Sequence, residues 1–148
     1  MIFIENESGQ AFSRDLLERA ARVVLDLSGV PDADLTIVLV DDARIQALNR
    51  DFLAHDAPTD VLSFPADEPD PETGRRYLGD VVISLPRAEE QARAHGHAAE
   101  SEMQLLVVHG VLHLLGHDHA EPGEKERMWA AQAGALERLG VSPQIVHE

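Results

Sequence analysis

Four of the eight histidines fall within eleven residues: His109-Gly110-Val111-Leu112-His113-Leu114-Leu115-Gly116-His117-Asp118-His119. His109 and His113 are four apart, so on a helix they share one face with Cβ atoms roughly 5–6 Å apart. Two imidazoles at that spacing can converge on one ion through bonds of about 2.0–2.1 Å. Gly116 is placed to end the helix, because a left-handed residue costs glycine no Cβ clash. The chain then reverses and presents His117, Asp118 and His119. His119 can complete a three-nitrogen site whose fourth position stays open to water, the arrangement of catalytic rather than structural zinc. His117 lies beside this set but off its spacing. His55, His95, His97 and His147 are scattered and read as ordinary surface or packing residues.

The helix carrying the pair sharpens the reading. Leu105, Leu106, Val107, Val108, Val111, Leu112, Leu114 and Leu115 leave it apolar on nearly every face, so it is expected to be buried. A buried imidazole without a polar partner costs about 1–3 kcal/mol, and a shared metal gives both histidines a partner. The spacing His-x3-His-x2-Gly-x2-His is that of the metzincin proteases, in which a glutamate after the first histidine serves as general base. Here that position is Gly110, and no acid lies between Gln104 and Gly116. The metal frame remains, while the protease chemistry lacks its base.

Other elements must hold that helix in place. Residues 1–5 read as a strand. Ser13 caps a helix to about Ser28, which Gly29 stops, and 35–40 is a β-branched buried strand. Asp41 or Asp42 caps a second helix to about Leu53, with Ile45, Leu48 and Phe52 turned inward. Residues 61–64 and 77–84 read as a hairpin of two strands around 66–74, an acidic, proline-rich stretch expected to be a solvated, mobile loop without calcium-loop spacing. Ser84 caps a short helix with Pro86 in its first turn. Helices over 98–115 and about 123–139 follow, the last with Trp129, Leu136 and Leu139 facing in and Met128 in the core, before a loose tail. The order β-α-β-α-β-β-α-α-α predicts an α+β fold. It is a single domain over residues 1–148, a small mixed sheet of about four strands packed with about five helices, with the zinc site at the end of a buried helix.

Composition narrows the partners. The chain has 148 residues, 44% hydrophobic and 26% charged, enough for a core without staples. With no cysteine, thiolate catalysis and cysteine-ligated metals are excluded. No apolar run is long enough to span a membrane, and the N-terminus does not read as a signal peptide, so no membrane partner and a cytoplasmic location are expected. The net charge of −15 argues against broad, non-specific nucleic-acid binding. It leaves room for a local basic groove, because eleven of the twelve basic residues are arginine, which suits bidentate phosphate contacts.

Three segments together resemble the YbeY family of bacterial endoribonucleases, the rRNA maturation factors. They are the histidine motif with Asp118; Leu48-Asn49 followed by Asp56-x-Pro58-Thr59-Asp60-Val61-Leu62-Ser63-Phe64-Pro65; and Leu78-Gly79-Asp80-Val81-Val82-Ile83-Ser84. The resemblance extends over essentially the whole chain. It implies a zinc-dependent, single-strand-specific endoribonuclease acting in 16S rRNA 3′-end maturation and ribosome quality control. One Zn²⁺ per chain would be held by His109, His113 and His119. The implied partners are the 16S rRNA precursor and the small ribosomal subunit or its assembly factors.

The chain departs from the family pattern twice. His117 stands where tyrosine is usual, and Leu53 where the family often carries an arginine thought to face the active site. Arg50, three residues earlier on the same helix, is the candidate to replace that arginine; the alternative reading makes Leu53 simply a core contact of its helix. Asp118 is the nearest carboxylate and is expected to orient a histidine ligand. Asp60 and Asp80 are the other carboxylates in the matched segments; Asp80 reads as a turn or strand-end hydrogen-bond acceptor, and for Asp60 that reading stands beside a role in the site. Two other readings stay open: a metzincin-like hydrolase of another substrate, and a non-catalytic assembly factor in which zinc only holds the fold.

Overall fold

The computed structural model describes residues 1–69, 71–117 and 121–142. The elements are β1 (Ile2–Asn6), α1 (Arg14–Leu27), β2 (Asp34–Val40), α2 (Asp42–Leu53), β3 (Val61–Pro69), β4 (Arg76–Ser84), α3 (Leu85–His95), α4 (Ala99–Leu114) and α5 (Pro122–Leu139). The expected order and the expected caps recur. Ser13, Asp41 and Ser84 each accept from a backbone N–H three residues on, at Leu16, Arg44 and Arg87. The four strands form one mixed sheet in the order β1-β2-β4-β3. β1–β2 and β2–β4 are parallel, and β3 runs antiparallel to β4 along the edge.

Side-chain alternation sends two apolar sets to opposite faces of the sheet. Ile37, Leu39, Val81 and Ile83 join α1, α3, α4 and α5 in the main core, with Leu17, Val24, Ala88, Met103, Met128 and Leu136. Val40, Leu62 and Val82 meet Ile45 of α2 in a smaller cluster on the other face. A bidentate ion pair ties α2 to α3. Arg87 donates from Nε to Asp42 Oδ1 at 2.9 Å and from a terminal nitrogen to Oδ2 at 2.8 Å, and the Ser84 hydroxyl donates to Oδ1 at 3.0 Å.

Three sequence expectations are corrected. β3 does not end at Phe64; Glu68 pairs with Tyr77 and Pro69 with Arg76, so part of the expected loop is strand. The register slips between Pro65 and Glu68, and an edge strand with a bulge accommodates prolines that a central strand would not. Gly79 opposite this irregularity has φ +132°, and a Cβ there would lie 2.2 Å from the Phe64 carbonyl oxygen. Phe52 is 68% exposed rather than turned inward, because the buried stripe of α2 is Ile45 and Asn49; its ring meets Phe64 edge-on at 5.8 Å. Trp129 is 38% exposed, rotated one position off the buried stripe Met128–Gln132–Leu136, and Lys125 Nζ sits 4.5 Å from its ring centroid. The expected loose tail lies largely outside the described residues.

Candidate metal centre

α4 runs through the middle of the main layer, touching α1, α3, α5, β3 and β4. Its close approach to the sheet is set by Gly110. A Cβ at that position would lie 2.5 Å from Val81 Cγ1, and the Gly110 carbonyl accepts from the Ser63 hydroxyl of β3 at 2.9 Å. Position 110 therefore faces packed sheet. A glutamate there, as in the protease pattern, would have to displace Val81.

The helix closes as the sequence predicts. Gly116 takes φ +95°. The Gly116 N–H donates to the His113 carbonyl at 3.0 Å and the His117 N–H to the Leu112 carbonyl at 3.0 Å. This paired pattern satisfies the last carbonyls and turns the chain away directly after the His113 turn.

His109 and His113 converge. Their Nε2 atoms are 3.1 Å apart, with ring centroids 4.7 Å apart and ring planes at 68°. Two ligand nitrogens about 2.0–2.1 Å from one tetrahedral ion would be about 3.3–3.4 Å apart, so this pair already has close to the edge length that such an ion requires. Both rings are half-buried rather than fully enclosed. On the far side of His109, Gln132 Oε1 of α5 lies 3.0 Å from Nδ1. An amide oxygen only accepts, so Nδ1 carries the proton and the lone pair sits on Nε2, facing His113. Gln132 is itself buried. Sequence reasoning missed it, because its only signal was a polar residue on the apolar stripe of the last helix.

His119 and Asp118 lie outside the described residues. Among the described residues no group of three His, Asp or Glu side chains gathers as a metal site. His117 lines a cavity of about 390 Å³ with Leu115, Gly116, Glu124 and Arg127. Arg50 is on the solvent side of α2, its Nε donating to Asp51 at 3.0 Å, and the neighbouring carboxylate raises its pKa. Leu53 is 53% exposed, which rules out the alternative reading of it as a core contact.

The remaining matched carboxylates behave as hydrogen-bond acceptors. Asp60 Oδ1 accepts from the Val61 N–H at 2.8 Å. Asp80 accepts from the Tyr77 hydroxyl, which also meets Thr36 Oγ1 at 2.6 Å; burial, then this carboxylate, push the Tyr77 pKa up to about 12. His97 Nε2 meets the buried Glu102 at 2.6 Å and His95 stacks on His97, so both have packing roles. His55 is exposed, and His147 lies outside the described residues. No helix among the described residues is long and apolar enough to cross a membrane.

Residues 3–140 match the family model described as Endoribonuclease YbeY. The chain is 43% identical over 136 residues to an Endoribonuclease YbeY of Geobacillus kaustophilus (strain HTA426), covering 86% of this chain and 87% of that one. It is 46% identical over 144 residues to an Endoribonuclease YbeY of Mycolicibacterium smegmatis, covering 92% and 81%. A solution structure from Thermotoga maritima is similar in fold, with a TM-score of 0.61, 27% identity and coverage of 95% of this chain and 92% of that one.

Proposed function

The chain belongs to the YbeY endoribonuclease family, and from that membership we propose that it is a zinc-dependent endoribonuclease of single-stranded RNA, acting on the 3′ end of the 16S rRNA precursor in the cytoplasm. The observation that carries the metal reading is the facing pair of Nε2 atoms with the His109 tautomer set by Gln132. His109, His113 and His119 would hold one zinc ion. When bound, the metal supplies Lewis acidity to a phosphoryl oxygen.

The chain's own residues do the rest. Gln132 holds the proton at His109 Nδ1, so that nitrogen does not compete for the ion. Gly110 seats α4 against Val81 and so fixes the height of both rings above the sheet. Asp118, next in sequence to His119, is assigned the orienting of a ligand imidazole. Arg50 is the phosphate contact that the sequence offers on α2, though Asp51 already engages its guanidinium. A peptidase reading finds no support at position 110, where Val81 occupies the space that a general base would need.

Purified protein loaded with zinc is expected to cut single-stranded RNA and to leave unstructured protein substrates intact. His113→Ala is expected to lose both the bound zinc and the cleavage. Full zinc content in that variant would remove the ligand assignment. Casein-type cleavage that depends on His109, without RNA cleavage, would replace the nuclease reading with a protease one.

A further inference from the structure

The cavity past the end of α4 has no role in the arrangement above. It opens between Leu115, Gly116 and His117, which directly follow the His113 turn, and Glu124 and Arg127 in the first turns of α5. The same two helices carry the His109–Gln132 contact. Five residues separate Arg127 from Gln132, a rise of about 7.5 Å along α5. Arg127 is exposed and forms no ion pair among the described residues, whereas Arg50 and Arg87 are held by Asp51 and Asp42. A guanidinium keeps its charge at all working pH values and offers a fork that matches two phosphate oxygens. In a chain of net charge −15, a fork that no carboxylate among the described residues engages, on a cavity wall beside the histidine helix, marks where a polyanion is welcome.

Resting on the nuclease reading above, we propose that Arg127, with His117 on the facing wall, is a positioning residue that binds a backbone phosphate of the RNA adjacent to the reacting one. Five positions along an α-helix also turn it about 140° past a full turn, so Arg127 lies on the exposed side of α5 while Gln132 is buried, and the contact is made to one side of the His109–Gln132 pair. Glu124 lines the same cavity. Its carboxylate repels a second phosphate and limits the site to one anion.

The test is steady-state cleavage of a short single-stranded RNA by the zinc-loaded protein over a series of salt concentrations. Arg127→Ala is expected to raise KM about tenfold, the size of one lost charge-assisted contact, and to leave kcat unchanged. The slope of log KM against log salt should become shallower by about 0.7, the single-strand value for one phosphate contact. Arg127→Lys should restore most of the lost affinity, and Glu124→Gln should lower KM. Unchanged KM and salt slope in Arg127→Ala, beside an active wild type, would overturn this inference alone. A loss confined to kcat would overturn it too, by placing Arg127 on the reacting atoms. A zinc-loaded wild type that cuts no RNA would overturn the nuclease reading with it.

Discussion

Replacing Gly110 by alanine sets two opposing effects against each other, and their sizes can be read from the packing. A Cβ at position 110 would sit 2.5 Å from Val81 Cγ1 and 3.2 Å from Cγ2. Carbon atoms pack best at about 3.5–4.0 Å, so roughly 1 Å must open between α4 and β4. Val81 is fully buried and β-branched, so it has little rotamer freedom with which to give way. Overpacking of this kind costs about 1–3 kcal/mol. Alanine in a helix interior returns about 1 kcal/mol over glycine. The net expected loss is about 0–2 kcal/mol, with α4 displaced from the sheet. The sharper test is the cycle with Val81→Ala. With the valine methyls removed, Gly110→Ala should become stabilising by up to about 1 kcal/mol, an inversion of sign that coupling between touching residues permits. Urea unfolding at constant m-value measures all four corners, and zinc titration follows the centre. An identical effect of Gly110→Ala in both backgrounds would refute the claim that Val81 sets the approach of α4.

Gln132→Leu should weaken zinc binding about 10–100-fold by releasing the His109 tautomer, while Gln132→Glu, which keeps an acceptor oxygen, should retain it; calorimetric titration separates the two. The Arg87 hydrogen bond holds the Asp42 carboxyl below the ordinary aspartate range, so its stabilisation is fully present above about pH 4 and is lost as pH falls below that. Asp42→Asn should therefore cost less than about 1 kcal/mol at neutral pH, given the exposure of the pair, and nothing in strong acid; denaturation at several pH values checks this. Leu53→Arg is expected to fold normally and to raise RNA cleavage, by as much as about 10²–10³ if that helix face stabilises charge on the phosphate, while Arg50→Ala lowers it. Folded variants with unchanged rates would rule out a phosphate role for this face.

The histidine pair was legible because its geometry is local. A spacing of four on one helix puts two rings together whatever the rest of the chain does, and Gly116 marks the stop by its backbone requirement alone. The order of elements and three of the caps were legible for the same reason. Gln132 was not, since its meaning depends on α5 packing back across 23 residues of sequence onto His109. Val81 was equally silent: only the height of α4 over β4 makes it the residue that fixes Gly110. Phe52 and Trp129 were placed inward by apolarity, but each lies just off a stripe whose inner positions include Asn49 and Gln132. The second half of β3 was hidden by its prolines and acids, which mark turns in most settings and edges in this one.

That edge matters for the fate of the chain among its own copies. A strand at the rim of a sheet offers a row of unpaired donors and acceptors on which another chain can polymerise. Along β3, Pro65 and Pro69 carry no N–H to offer, the slip between Pro65 and Glu68 breaks the straight run of carbonyls, and Glu68 brings a charge that an added strand would have to bury or oppose. The distal half of the strand thus pairs inward with β4 while making a poor template outward, so this edge of the sheet carries its own guard against aggregation.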